Sequence, residues 1–111
     1  MPRHQLLVLS NPAPGQEDAY HEWYTHTHLR DVLELPGFTA AQRFSLDATP
    51  AGGSAMPRFA AIYEFETDDV EALFAQLAGR FGEDPDTQRL LDFDSLQTLV
   101  LTPITERRTA D

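Results

Sequence analysis

The chain has 111 residues with neither cysteine nor lysine, and its 18 acidic against 8 basic residues leave a formal net charge of −10. Without thiols there is no disulfide, thiolate metal site or cysteine nucleophile, and without lysine there is no Schiff base. A chain this acidic, with no stripe of arginine, is not expected to bind nucleic acid.

A single domain spanning residues 1–111 is expected, burying roughly two thirds of the surface its unfolded form exposes. Neither a signal-like apolar run nor a stretch approaching about 20 apolar residues occurs, so a soluble, cytoplasmic protein with no membrane partner is expected.

His4 to Ser10, HQLLVLS, is a short apolar run closed by the turn-rich NPAPG of Asn11 to Gly15, which predicts a buried strand and a loop. Glu17 and Asp18 place negative charge where a helix N-terminus favours it, and no glycine or proline follows until Pro36. A first helix is expected from Glu17 to about His28 or beyond. Phe38 to Leu46 predicts a second strand, with Phe38, Ala40, Gln42 and Phe44 on one face and Thr39, Ala41, Arg43 and Ser45 on the other. Asp47 to Pro57, small and rich in Pro and Gly, reads as a mobile loop.

Arg58 to Glu66 predicts a third strand in which Phe59, Ala61, Tyr63 and Phe65 alternate with Ala60, Ile62, Glu64 and Glu66. Asp68 and Glu71 have the spacing of a capping pair and open a helix expected over Asp68 to Arg80, whose stripe Val70, Leu73, Phe74, Leu77 and Phe81 is assigned to core packing. Asp84 to Leu91 adds a helical turn, and Ser95 to Ile104 supplies the last strand.

The order β-α-β, β-α-β predicts an α+β, ferredoxin-like fold: a four-stranded antiparallel sheet with two helices on one face. Phe59, Phe65 and Leu99 cannot all face two helices in this reading, so the second face is expected to pack on the sheet of an identical partner, giving a homodimer.

Within this frame the segment HEWYTHTHLRDVLELPGF resembles the helix-one signature of the EthD-like branch of the dimeric α+β barrel superfamily, W-Y-x-x-x-H-x-x-x-V-x-x-x-P-G-F. Trp23, Tyr24, His28, Val32, Pro36, Gly37 and Phe38 fall in register. Asn11-Pro12 and Arg43-Phe44 are also similar to that group. The resemblance implies sheets paired into a dimeric barrel, with a cleft between sheet and helices in each protomer. Its members include polyketide cyclases, lactone isomerases, metal-free monooxygenases and haem-degrading enzymes, so the fold does not select a chemistry.

The site residues must therefore be weighed individually. At about 100° per residue, Tyr20, Trp23, Tyr24, Thr27 and Asp31 share a helix face with His28 at its margin, while His21, Glu22 and His26 point elsewhere. His28 is the candidate general base or acid, since imidazole titrates near neutrality, with Asp31 three residues on as its orienter. The competing reading is a histidine that caps helix carbonyls. Trp23 and Tyr24 are candidate cleft walls, with the Tyr24 hydroxyl donating to a carbonyl or enolate, and Tyr63 is a second hydroxyl candidate for binding substrate, against plain core packing for all three. Arg43 is the cation a strand can aim at a substrate carboxylate or enolate, against an exposed ion pair; Glu64 is read as exposed.

No protein metal site is expected, because Thr25 stands where an H-E-x-x-H motif needs its second histidine. No glycine-rich phosphate or dinucleotide motif occurs, so no cofactor is expected. What remains is a cofactor-independent lyase, isomerase or cyclase acting by acid/base chemistry on a hydrophobic carbonyl compound. The alternatives are a ligand-binding or stress-associated dimer without catalysis and a metal-free monooxygenase.

Overall fold

The computed structural model describes residues 2–46 and 57–110; apart from Pro57, the loop expected over Asp47 to Pro57 lies outside them. Four strands, β1 (Arg3–Pro12), β2 (Phe38–Ser45), β3 (Phe59–Glu66) and β4 (Leu91–Leu101), form one antiparallel sheet in the order β2-β3-β1-β4. Between β1 and β2 runs a helical segment of three parts: α1 (Glu17–Trp23), a π-helical turn (Tyr24–His28) and α2 (Leu29–Leu33). After β3 come α3 (Val70–Phe81) and the short α4 (Pro85–Leu90). This is the expected ferredoxin-like α+β arrangement.

The helices close over one sheet face. Leu6, Tyr63 and Phe65 from the strands meet Tyr20, Val32 and Leu73 from the helices in a single core. Phe59 and Phe65 both belong to that face, since Phe59 packs on Tyr20 and His21 and Phe65 on Phe38 and Phe74. Their expected conflict with the helices does not arise; Leu99 alone of the three lies on the opposite face, paired in register with Leu7.

A bulge in β2 and the glycine before it set how this strand meets the core. Between Phe38 and Ala40 the β2 register shifts against β3, so Ala41 stands opposite Tyr63 and Arg43 opposite Ala61. The extra residue turns Arg43 to the same face as Phe38, correcting the simple alternation expected for this strand. Just before β2, Gly37 adopts φ +98°, and a Cβ there would stand 3.1 Å from the Glu66 carbonyl oxygen and 3.3 Å from Leu73. Only glycine accepts both the left-handed backbone and the approach.

The helix ends follow their caps. Asp69, not Asp68, caps α3, its carboxylate accepting from the Ala72 N–H at 3.0 Å. Asp84 caps α4 by accepting from the Thr87 N–H and hydroxyl, each at 3.0 Å, with Pro85 at the first helical position. Leu91 to Ser95 is already strand, so β4 begins earlier than expected and ends at Leu101. No helix among the described residues is long and apolar enough to cross a membrane.

Candidate functional site

A cavity of about 480 Å³ lies between the sheet and the helices. Leu6 and Val8 of β1 and Tyr63 of β3 form its floor, Tyr24, His28 and Val32 one wall, and Phe74, Leu77 and Phe81 of α3 the other. Its end is built by Thr87 and Gln88 of α4 together with Phe93, Leu96 and Thr98 of β4.

The π-helical turn places His28 in this wall. The Leu29 N–H bonds to the Tyr24 carbonyl, five residues back, in place of the four-residue step of an α-helix. In a regular helix Trp23 and His28 would point about 140° apart. Here residues five apart lie above one another, and the two rings stack with centroids 4.6 Å apart and planes at 24°. Tyr24 and Phe81 meet the imidazole edge-on at 5.1 and 4.8 Å. His28 therefore leaves the margin it was expected to occupy and becomes the centre of an aromatic box.

Burial among these rings depresses the His28 pKa from 6.5 to about 4, against the opposing pull of Asp31 and Asp84 and with a smaller push from Arg80. The imidazole is neutral at pH 7. Asp31 does not take the expected place as hydrogen-bonded orienter: its two carboxylate oxygens lie 3.4 Å from Arg30 and 3.4 Å from Arg80. It acts on His28 through its charge, while Trp23, Tyr24 and Phe81 hold the ring.

Tyr63 donates to the Tyr24 hydroxyl at 3.3 Å, and both side chains are buried in the core. Burial, above all, raises the Tyr24 phenol to about 12 and the Tyr63 phenol well above 10. Both stay protonated, and Tyr24, already accepting from Tyr63, has its own O–H to donate. Trp23 is brought to the site as the backing of His28, and no part of it lines the cavity.

Arg43 is placed elsewhere than the sequence reading anticipated. Its guanidinium lies over the outer faces of Tyr24 and Tyr20, 4.6 and 5.3 Å from the ring centroids. It donates to the Thr25 hydroxyl at 2.9 Å and to His21 Nδ1 at 3.1 Å. It does not line the cavity and cannot meet a substrate carboxylate there. His21, assigned to solvent by the helical wheel, is half-buried against Phe59, and burial first, then Arg43 and Arg58, lower its pKa. His26 is exposed, 3.8 Å from Glu22. Among the described residues no group of three or more His, Cys, Asp or Glu could hold a metal ion.

The contribution of α4 and of Phe93 and Thr98 to the cavity was not foreseen. Only the D-P pair at Asp84-Pro85 announces the turn that brings them there.

No protein-family model and no curated protein matches this chain. Among solved structures it is similar to an ethyl tert-butyl ether D (EthD) family protein of Bacillus halodurans, with 18% identity and a TM-score of 0.58 over 94% of this chain and 100% of that one. It is likewise similar to a DABB family protein with a ferredoxin-like fold from Mesorhizobium loti, with 10% identity and a TM-score of 0.60 over 95% of this chain and 100% of the other. At these identities the likeness is one of fold, and it bears out the ferredoxin-like α+β architecture expected from the sequence.

Proposed function

We propose that this protein is a cofactor-independent enzyme of the lyase, isomerase or cyclase kind that moves a proton on a hydrophobic carbonyl compound. The observation that carries the reading is a neutral imidazole, His28, and a polarised hydroxyl pair, Tyr63 to Tyr24, lining one apolar cavity.

In the proposed reaction the substrate carbonyl oxygen accepts from the Tyr24 O–H, while His28 removes the proton from the adjacent carbon. The electron pair of that C–H bond forms the enolate, whose oxygen Tyr24 holds. The imidazolium then returns its proton to a different atom of the substrate, or to a leaving group. Isomerisation, ring closure and cleavage differ only in where that proton lands. Asp31 and Asp84 favour the transient imidazolium. A base as weak as His28 suits a carbon acid already activated by two carbonyls.

Acetyltetralone, a neutral dicarbonyl compound, provides a test without the natural substrate. Exchange of its acidic C–H for deuterium is expected to be accelerated by the wild-type protein. His28→Gln should slow that exchange by about a hundredfold with the thermal midpoint retained. Equal exchange by both proteins would remove His28 from the mechanism.

A protein that merely holds its ligand would return it intact, and the nearly wholly apolar cavity walls favour this as the second reading. We also propose a homodimer through the open sheet face. Leu7 lies in register with Ile62 on one side and Leu99 on the other, on the face opposite Leu6 and Val8. Leu99, Leu101 and Phe44 remain exposed there, an apolar surface of the kind a second copy would cover.

A further inference from the structure

We infer that the cavity selects uncharged ketones and rejects the corresponding carboxylates, an inference that rests on the ketone-enolising reading above. The chain has eight cationic side chains, all arginine, and none lines the cavity. Arg43, the nearest on the sheet, is held on the far side of Tyr24 by Thr25 and His21. Arg80 at the helix end is paired with Asp31 and lies over Phe81. Residues 47–56 contain no lysine or arginine, so that segment cannot supply a cation.

A carboxylate entering this space would lose its water and find hydroxyls but no positive charge, which costs far more than burying a ketone. Asp31 and Asp84 beside His28, and the net charge of −10, oppose an anion further. An ammonium fares little better, because among the described residues no carboxylate lines the cavity. A ketone oxygen needs one donor, and Tyr24 provides it. The reaction that supplies this substrate is therefore one that leaves no free acid, such as a decarboxylation or an esterification.

Three ligands sharing one ring system separate the possibilities by equilibrium dialysis at pH 7.5: acetylnaphthalene, naphthoate and naphthylmethylammonium. The ketone is expected to bind about a hundredfold more tightly than either ion. Ala78→Trp, which fills the cavity from α3, should abolish ketone binding. Gln88→Arg, at the exposed end of the cavity, should raise naphthoate affinity about tenfold and so narrow the preference for the ketone.

Comparable affinities for ketone and naphthoate, or no binding of the ketone, would overturn the inference. So would ketone binding that survives Ala78→Trp, or a naphthoate affinity unmoved by Gln88→Arg. Charge selection without deuterium exchange would sink the catalytic reading and leave this one standing. Exchange of an acid-bearing analogue at the ketone's rate would do the reverse.

Discussion

Burial against Trp23, Tyr24 and Phe81 removes the water that a protonated His28 would need, so its pKa falls to about 4. Because that folded value lies below the ordinary 6.5, the unfolded chain binds the proton first as pH drops. The stability tied to this residue is complete above about pH 6.5 and is lost as pH falls through the folded value near 4. His28→Gln carries no such group, so its thermal midpoint should decline less than the wild type's between these two values in paired calorimetric scans. Tyr63→Phe tests the hydroxyl relay. Loss of that one hydrogen bond should cost about 1 kcal/mol of stability, and Tyr24, no longer accepting from Tyr63, should stabilise the enolate less, slowing deuterium exchange by about tenfold. A change in exchange no larger than that in a distant control variant would remove the relay from the account. Arg43, read from the sequence as a substrate clamp, is better described as a brace that fixes Thr25 in the π-helical turn and covers the outer face of Tyr24.

At the scale of elements, most of the fold was legible and most of the site geometry was not. The strand-helix order, the Pro36-Gly37 break and the α3 stripe rest on local patterns, which is why they could be read. The site depends on two one-residue irregularities that change phase without a composition signal: the bulge between Phe38 and Ala40 and the turn Tyr24–His28. A wheel at constant pitch left His28 at the margin because it could not contain the wider turn, and it sent His21, which precedes that turn, to solvent because Phe59 and Arg43 reach it from the sheet. Asp31 was placed correctly on the helix but its partners, Arg30 and Arg80, come partly from α3, beyond the reach of local spacing. Deleting Thr27 should restore an unbroken α-helix in which Trp23 and His28, now four residues apart, still share a face, so helical circular dichroism and ligand binding should both persist; lost binding would show that the wide turn itself is required. Gly37→Ala should cost about 1–2 kcal/mol in chemical denaturation, from the left-handed backbone alone.

For the whole molecule, the acidic surface and the open sheet face act at different ranges. The charge repels anionic molecules before they reach the cavity, while Leu7, Ile62, Leu99 and Leu101 offer a second copy an apolar sheet to cover. Light scattering at micromolar concentration should return twice the 12.5 kDa of one chain, and Leu7→Glu with Leu99→Glu should return the single-chain mass. A wild-type monomer would contradict the sheet pairing. Architecture was accessible from the sequence because helix and strand order follow from hydrophobic period. The emptiness of the cavity of cations was not, because it depends on where a bulge sends Arg43. The chemistry meets its sharpest test in the pH dependence of wild-type deuterium exchange on acetyltetralone, expressed as kcat/KM. It should rise with pH to a half-maximum near the His28 value of about 4, then stay level through neutrality, and His28→Gln should lose that profile. A half-maximum near 6.5, or a profile shared by the variant, would contradict a half-buried, neutral His28 as the base.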